Sequence, residues 1–347
     1  MTNEPLSAAA STELPFAHGG PPLRGVLRAS PEDFVVEEIL GYDADGAGEH
    51  VLLWVEKRGA NTDWVARELA RFAGVPPLAV GYAGLKDRHA VTRQTFSVQL
   101  AGRAEPDWSA FPHAEVRVLA ATRHARKLKR GALRGNRFVL TLRALRGDRA
   151  AAEERLRQIT ARGVPNYFGE QRFGRGGGNV EQARAMFAGR RVDRDKRGLL
   201  LSAARAHLFN ELLALRVEQA AWDSPLDGEI WALAGSRSWF GPEAFDDALA
   251  ARLAQGDIHP SGPLWGQGES PARGAAAALE NAVVAAHPEL AAGLVAARLE
   301  QERRALRLLP KDLRWSWPQE DALELAFGLP AGAYATVIVR EVLASAV

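Results

Sequence analysis

The sequence predicts an α+β protein of two domains, and three observations lead to this prediction. The chain has 347 residues, of which 47% are hydrophobic, so it can bury more than one core. Strand-like runs dominate residues 25–162 and return near the C-terminus. The residues between are rich in Ala and Leu with helical periodicity.

The strand pair near the C-terminus is too short to fold alone, so we expect it to join the N-terminal sheet. The helical stretch is then an insertion. The expected boundaries are a disordered tail over residues 1–24, a sheet-containing domain formed by residues 25–162 with 302–347, and an inserted, mainly helical domain over residues 163–301.

The N-terminal elements are predicted from alternation, periodicity and capping residues. Asn61 or Thr62 can cap a helix that Gly74 ends, and Gly163 closes a second helix over residues 148–163. β-Branched and aromatic residues predict six strands, over residues 25–30, 33–40, 51–58, 95–100, 114–123 and 136–145. Near the C-terminus, residues 313–318 and 322–330 are strand-like, and residues 333–347 are expected to form a last helix.

Composition excludes several classes of function. Lys and Arg number 44 against 42 for Asp and Glu, so the net charge of +2 does not by itself indicate nucleic-acid binding. The absence of Cys excludes disulfides and thiolate chemistry and favours the cytoplasm. No apolar run approaches the roughly 20 residues that span a bilayer. The eight His lack the spacing of a helical zinc site, and the glycines of residues 173–179 lack the ending of a phosphate loop and predict a turn.

Asp87 is the candidate for chemistry in the stretch "GLKDRHAVTRQ", residues 84–94. It stands among Lys86, Arg88 and Arg93, and nearby cations favour the ionised form of a carboxyl group. An ionised carboxylate suits a nucleophile or a base. The alternative is an ion-pair cluster at a turn, which this segment alone does not distinguish from a catalytic role.

Residues 122–137 form the strongest local charge signal, with seven Lys or Arg and no acidic residue. A solvated loop is the usual interpretation of such a run. Here Gly131 and Gly135 could let the backbone approach phosphates, and Asn136 followed by Phe138 could read and stack on a base. We therefore expect a phosphate-binding loop beside a base-contacting residue.

Seven separated motifs, in order, resemble the TruD family of tRNA pseudouridine synthases. They are "PEDFVVEE", "GAGEH", "GLKDRHAVTRQ", "RKLKRGALRGNRF", "GVPNYFGEQRFG", "LSAARAHLFN" and "LPAGAYATVIVRE". The resemblance implies isomerisation of uridine to pseudouridine in tRNA, typically at position 13, without metal or organic cofactor. It also implies a pseudouridine-synthase catalytic domain of mixed sheet and helices, interrupted by the TruD-specific domain, with a cleft for RNA between them.

The same resemblance implies roles for individual residues. Asp87 matches the catalytic aspartate, and Phe34, Asn136 and Phe327 match substrate-contacting positions. Arg28 stands where the family often has Lys, and is a possible charge partner of the aspartate with bidentate geometry. Candidates for RNA contacts are Arg88, His89, Arg126, Lys127, Lys129, Arg130 and Arg134. The expected partner is tRNA, bound by a monomer in the cytoplasm.

The residues also suit the implied chemistry. Pseudouridine formation breaks the bond from N1 to C1′ and remakes it at C5, which calls for one ionised carboxylate and a place to hold a loose base. Asp87 could attack C1′ or C6, or act as a base at C2′, and the sequence leaves these open. A non-catalytic RNA-binding protein is the alternative function. A nucleoside-processing enzyme is disfavoured because a free nucleoside has no phosphate backbone for the basic stretch.

Overall fold

The structure of the protein is a computed structural model, which describes residues 14–345. This part of the chain divides into two compact units. The first, which we call the sheet unit, comprises Pro21–Ala161 with the described residues 309–345. The second, the helical unit, comprises Arg162–Leu308 with the described residues 14–20. Helices and strands occur in both, so the predicted α+β class is confirmed.

The described chain contains sixteen strands and eight α-helices. In chain order the strands are β1 (Leu23–Leu27), β2 (Phe34–Leu40), β3 (His50–Arg58), β4 (Val80–Tyr82), β5 (Val91–Gln99), β6 (Val116–His124), β7 (Leu133–Gly147), β8 (Val164–Pro165), β9 (Trp231–Leu233), β10 (Trp239–Phe240), β11 (Ile258–Leu264), β12 (Glu302–Ala305), β13 (Arg307–Leu308), β14 (Lys311–Gln319), β15 (Ala322–Pro330) and β16 (Leu343–Ser345). The helices are α1 (Thr62–Phe72), α2 (Arg149–Arg162), α3 (Gly178–Phe187), α4 (Arg194–Glu218), α5 (Asp247–Ala254), α6 (Gly274–Ala286), α7 (Pro288–Ala296) and α8 (Thr336–Val339).

One ten-stranded mixed sheet organises the sheet unit. Its main path runs β14-β15-β7-β2-β5-β3-β6, while β1 pairs with β7 and β16, and β4 pairs with β5. The two strands near the C-terminus enter this sheet through β15, which is antiparallel to β7 from Leu323 opposite Leu142 to Pro330 opposite Gly135. Backbone pairing therefore brings the C-terminal strands into the same layer as the strands of residues 23–147.

Helix α1 covers part of one face of this sheet. It starts after Asn61, and the chain leaves it at Gly74, whose φ of +63° is easily adopted only by glycine. Its buried residues Val65 and Leu69 pack into a core with the alternating residues Val51, Leu53 and Val55 of β3 and Phe96 of β5. The predicted helix and strand thus form one packed helix–sheet layer.

The helical unit contains α3 to α7 and two small sheets, of order β10-β9-β11-β12 and β13-β8. Its main core contains Leu200, Ala204 and Leu208 of α4 with Leu290 and Leu294 of α7. The Gly-rich stretch forms a turn of 3-10 helix at Arg175–Gly177, with positive φ at Gly176 and Gly177, as predicted. The stretch predicted as mainly helical also contains strands β8 to β11, because short strands without clear alternation give a weak sequence signal.

Two predictions near the termini need correction. Residues 1–13 of the expected tail lie outside the described residues, but Leu23 and Arg24 already belong to β1, so the tail boundary at residue 24 was wrong. The last helix is also shorter than expected. Only Thr336–Val339 is α-helical, and Leu343–Ser345 pairs in parallel with β1. The β-branched run at residues 336–339 propagates a helix poorly, and the edge of β1 supplies backbone partners instead.

Gly135 on β7 provides a test of the strand packing. A Cβ atom there would lie 2.4 Å from the backbone oxygen of Leu329. We expect Gly135→Ala to lower the free energy of unfolding by about 1–3 kcal/mol, because the backbones would have to separate. Gly198→Ala is the matched control, since a Cβ on this exposed residue of α4 meets nothing within 4 Å and should stabilise the helix by roughly 0.5–1 kcal/mol. Denaturant unfolding measures both, and equal effects would contradict the packing argument.

Candidate active site

A single row of residues crosses five strands on one face of the large sheet. Directly paired residues share a face, and the pairs place Phe327 of β15, Phe138 of β7, Val36 of β2, Thr92 of β5 and Lys57 of β3 in line. All five are buried. We call this line the site row. It is aromatic at one end and cationic at the other, and the backbone pairing sets the separation of the two ends.

The segment from residue 84 to 89, between β4 and β5, carries Asp87 and lies at the cationic end. The Nζ of Lys57 donates to the backbone oxygen of Asp87 at 3.1 Å and to that of Ala60 at 2.7 Å. Lys57 is fully buried. Its ammonium group therefore ties the backbone at Asp87 to the end of β3.

Two further buried side chains hold the same segment. The Nε2 of Gln94 donates to the backbone oxygen of Gly84 at 3.3 Å. The hydroxyl of Thr62 accepts a hydrogen bond from the backbone N–H of Lys86 at 3.0 Å and donates to the Oε1 of Gln94 at 3.0 Å. These bonds fix the backbone while the Asp87 side chain stays 29% exposed. The carboxylate is thus accessible on an anchored main chain.

Arg28 contacts the Asp87 carboxylate directly. Its Nη1 lies 2.7 Å from Oδ2, and the other oxygen, Oδ1, accepts the backbone N–H of His89 at 2.9 Å. The guanidinium carbon lies 3.8 Å from the centre of the Phe34 ring. Arg28 also has a φ of +67°, an unfavourable region for a residue with a side chain. The surrounding contacts hold this backbone so that the guanidinium reaches the carboxylate.

The cations adjacent in sequence pair with other groups. Lys86 lies 2.8 Å from Glu38 in a buried ion pair. Arg93 pairs with Glu56, at 2.8 Å, and with Glu37. Arg88 is exposed, and its Nε approaches the backbone oxygen of Gly59 at 3.4 Å. The expectation that Lys86 and Arg93 are the cations that act on the Asp87 carboxylate was therefore wrong, because both side chains pair with carboxylates of β2 and β3 instead.

Three phenylalanines form the aromatic end of the site. Phe34 meets Phe138 edge-on with ring centres 6.3 Å apart, and Phe138 stacks on Phe327 with ring centres 5.6 Å apart and an angle of 27° between the rings. Phe34 and Phe327 are only 4% and 2% exposed. Arg28 contacts both Asp87 and Phe34, and Phe34 contacts Phe138, which stacks on Phe327. A series of contacts therefore connects these two predicted substrate-contacting residues to Asp87. It also gives their rings a packing role.

Asn136 lies on the same face as Phe138, two residues along β7. It stands opposite Glu38 of β2 and Leu329 of β15. Its side-chain oxygen is buried and finds no hydrogen-bond partner among residues 14–345. A buried amide oxygen without a partner is uncommon in folded proteins. Asn136 therefore offers a free hydrogen-bond acceptor beside the aromatic end of the site row.

Comparison with known proteins identifies the family. The sequence model of tRNA pseudouridine synthase D (TruD) matches residues 14–181 and 179–342. The chain belongs to the TruD family. It is similar to tRNA pseudouridine synthase D of Xanthomonas campestris pv. campestris (strain 8004), at 54% identity over 346 residues that cover 95% of this chain and 94% of the relative. It is also similar to the Nitrosococcus oceani protein of the same name, at 55% identity over 333 residues that cover 94% of this chain and 93% of the relative.

A solved structure assigned to TruD from Methanosarcina mazei has a similar fold. The TM-score is 0.72, with 20% sequence identity over 94% of this chain and 95% of that chain. At this identity the likeness shows the fold alone. It agrees with the mixed sheet and helices that the TruD resemblance implied.

In this TruD-family chain residues 125–132 of the basic stretch form the loop between β6 and β7, and its two ends, including Arg134, belong to these strands. Arg126, Lys129 and Arg134 are exposed and form no ion pair with the described residues. Arg130 is exposed too, but it stacks at 3.8 Å on the ring of Tyr82 and lies 3.7 Å from Asp63. Lys127 is half-buried and donates to a backbone oxygen, that of Leu78. Three of these five residues, all predicted to contact RNA, thus form no ion pair with residues 14–345.

This loop is hydrogen-bonded to β5 and to the residue that follows β4. The backbone N–H of Leu128 donates to the hydroxyl of Ser97 at 2.9 Å, and that of Gly131 donates to the oxygen of Ala83 at 2.8 Å. Ala83 lies four residues before Asp87. Hydrogen bonds therefore attach the loop that carries the exposed cations to β5 and to the residue just before the segment that carries Asp87.

The two glycines of the basic stretch have structural explanations. Gly131 adopts a φ of +82° in a turn, and Gly135 lies inside β7, where only a hydrogen atom fits against Leu329. The suggestion that Gly135 lets the backbone approach phosphates is therefore unsupported, since that glycine faces another strand.

Sequence reasoning missed Lys57, Thr62, Gln94 and Glu38 as parts of the site. A signal was present for Lys57. It continues the alternation of Val51, Leu53 and Val55 on β3, so a charged residue stood at an inward position. A buried charged group needs a hydrogen-bonding or charged partner, but only the folded chain shows that this partner is the backbone oxygen of Asp87.

Membrane-spanning helices and clustered metal ligands are both absent from the described chain. No helix within residues 14–345 is both long and apolar enough to cross a membrane. No group of three or more His, Asp or Glu side chains in the same residues is arranged to hold a metal ion.

Phe327→Ala separates packing from a role in binding. The ring is buried against Phe138, so its loss should lower the free energy of unfolding by about 3–5 kcal/mol. Phe327→Leu keeps most of the buried volume and serves as the matched variant. If the ring also stacks on a base, the Leu variant should bind tRNA or turn over less well while its melting temperature stays near that of the original protein. Full activity in the Leu variant would leave packing as the whole role.

Proposed function

We propose that this protein isomerises uridine to pseudouridine in tRNA, with Asp87 as the catalytic carboxylate. The Asp87–Arg28 pair carries the proposal, because it presents an accessible, charge-paired carboxylate in a chain of the TruD family. Relatives more than 50% identical to this chain bear the name tRNA pseudouridine synthase D. The adjoining basic loop supports a polyanionic substrate.

The reaction is an isomerisation that needs no net oxidant or co-substrate. The bond from N1 to C1′ breaks, a bond from C5 to C1′ forms, the C5 proton leaves and N1 gains a proton. Asp87 serves this sequence as a nucleophile at C1′ or C6, or as a base at C2′, and each route requires the ionised carboxylate. Arg28 pairs with this carboxylate at 2.7 Å and holds it in place.

The other site residues receive roles consistent with their positions. Phe34 and Phe327 border the site through the packed aromatic rings, and the free side-chain oxygen of Asn136 can accept a hydrogen bond from a base edge. The exposed Arg88 and His89 adjoin Asp87 and are candidates for phosphate contacts. Extrusion of the target base costs a few kcal/mol, which contacts of this kind can offset.

We propose the finer assignments on the same family basis. The target is position 13 of tRNA, the sheet unit is the catalytic domain, and the helical unit corresponds to the inserted TruD-specific domain. Because tRNA is the substrate, we place the protein in the cytoplasm. We also propose that the protein acts as a monomer. Maps of pseudouridine in cellular RNA with and without this protein test the target, and an unchanged position 13 would contradict it.

Asp87→Asn is the direct test of the catalytic assignment. The substitution keeps size and removes the charge. Pseudouridine formation on an unmodified tRNA transcript should fall to background while tRNA binding persists, since phosphate contacts carry most of the affinity. Asp87→Glu keeps the charge but moves the carboxylate, and a displacement of about 1 Å can cost on the order of a hundredfold in rate. Multiple turnovers by the Asn variant, above a no-enzyme control, would refute the role of Asp87.

The basic loop is tested by salt dependence. Arg126→Ala with Lys129→Ala should weaken tRNA binding and reduce the slope of log affinity against log salt by up to roughly one unit for each phosphate that the loop no longer neutralises. The control is Arg149→Ala with Arg157→Ala, which removes two exposed charges from α2. Folding should survive in both. Identical slopes for the two double variants would show that the loop is an ordinary solvated surface that does not bind phosphates.

A further inference from the structure

Lys57 is a buried cation to which the proposed reaction assigns no role. Its side chain is fully buried, and within residues 14–345 its ammonium forms no ion pair at salt-bridge distance. Instead it donates to the backbone oxygens of Ala60 and Asp87. Burial of a charge is unfavourable unless it is compensated, and an apolar side chain of similar length would fill the space with less penalty. Stability alone therefore does not explain why a lysine occupies position 57.

The groups around Lys57 leave Asp87 as the acidic group that acts on it. Directly opposite on the neighbouring strands lie the uncharged Thr92 and Val116. Asp87 favours the charged form of Lys57 and Lys86 opposes it. Lys86 is itself paired with Glu38, and the far side of the Asp87 carboxylate is occupied by Arg28. Asp87 is thus held through its backbone by one cation and through its carboxylate by another.

Burial also places the titration of Lys57 within an accessible pH range. Loss of hydration lowers the pKa of Lys57 from 10.5 to about 8, although the nearby Asp87 acts in the opposite direction. The folded-state pKa lies below the unfolded value, so between these values the unfolded chain binds more protons. The stability contribution of this group therefore rises as pH increases from about 8 to 10.5. Any loss of activity in that window would run opposite to this change in stability.

We propose that Lys57 is a positioning residue for Asp87: its buried ammonium group holds the backbone carbonyl of Asp87 and so keeps the carboxylate correctly oriented beside Arg28. This inference rests on the proposed function. A hydrogen bond from a charged donor is stronger than one from a neutral amine. Deprotonation of Lys57 therefore loosens the Asp87 backbone and removes part of the positive field that the carboxylate experiences.

The pH profile of the wild-type protein is the first measurement. Single-turnover rates on an unmodified tRNA transcript should be nearly constant from about pH 6 to about pH 7 and then fall through a midpoint of about 8, the pKa of Lys57. Lys57→Arg retains the charge, so its profile should lack this step up to about pH 9.5. Lys57→Met should be slower at every pH by on the order of tenfold or more, without the step, while tRNA affinity stays within about twofold.

Leu69→Ala is the matched control for simple destabilisation. Leu69 is fully buried in the core between α1 and the sheet, so this variant lowers the melting temperature without touching the Asp87 segment. Where both proteins are folded, its rate should match the wild type and its profile should keep the step. A step caused by the RNA itself would persist in Lys57→Arg and would overturn the proposal.

The failures of the two proposals are distinguishable. Wild-type protein that forms no pseudouridine overturns the proposed function and the role of Lys57 with it. Active wild-type protein with a flat profile across the whole range, or a Lys57→Met variant of unchanged rate, overturns the role of Lys57 alone. If the Met variant does not fold, the wild-type and Arg profiles still decide the question.

Discussion

A polar group on a buried sheet face needs a partner, and this constraint shapes the whole candidate site. Lys57, Gln94 and Glu38 occupy inward positions on three neighbouring strands where alternation would otherwise place apolar residues. Each finds its partner in the segment from Gly84 to Asp87, through a backbone oxygen or through the ammonium of Lys86. The irregular segment is thereby attached to the most regular part of the fold, which is how a loop residue acquires a defined position.

The second constraint acts from the opposite side of the carboxylate. Arg28 follows β1 with an unfavourable backbone conformation, yet it pairs with Asp87 and covers Phe34 at the same time. Strain of this kind persists only where the surroundings compensate for it. The result is a carboxylate fixed by Arg28 and by the segment backbone, beside aromatic rings and an unsatisfied amide oxygen. An isomerase that handles a loose base has use for this combination of a rigid charged group and a flat apolar border.

Prediction from the sequence succeeded where the signal is local. The start and end of α1 and the alternation in β2 and β3 depend on neighbours within a few residues, and the structure has these elements as expected, although the Asn61 side chain at the start of α1 forms no capping hydrogen bond. Prediction failed where a residue distant in the sequence determines the local structure or the ion-pair partner. Residues 343–345 form a strand because β1 offers an open edge, and Lys86 pairs with Glu38 because β2 lies alongside. Local composition contains no information about either neighbour.

The sequence by itself determined the α+β class, the resemblance to the TruD family and the candidate residues Asp87, Arg28, Phe34, Asn136 and Phe327, since each depends on residue identity and order along the chain. Only the tertiary structure decided which cation meets Asp87, that Phe327 is covered by Phe138, and that Lys57 is buried beneath the Asp87 backbone. These facts depend on strand register. A shift of one residue would turn every inward side chain outward, and register is set by pairing between segments far apart in the chain.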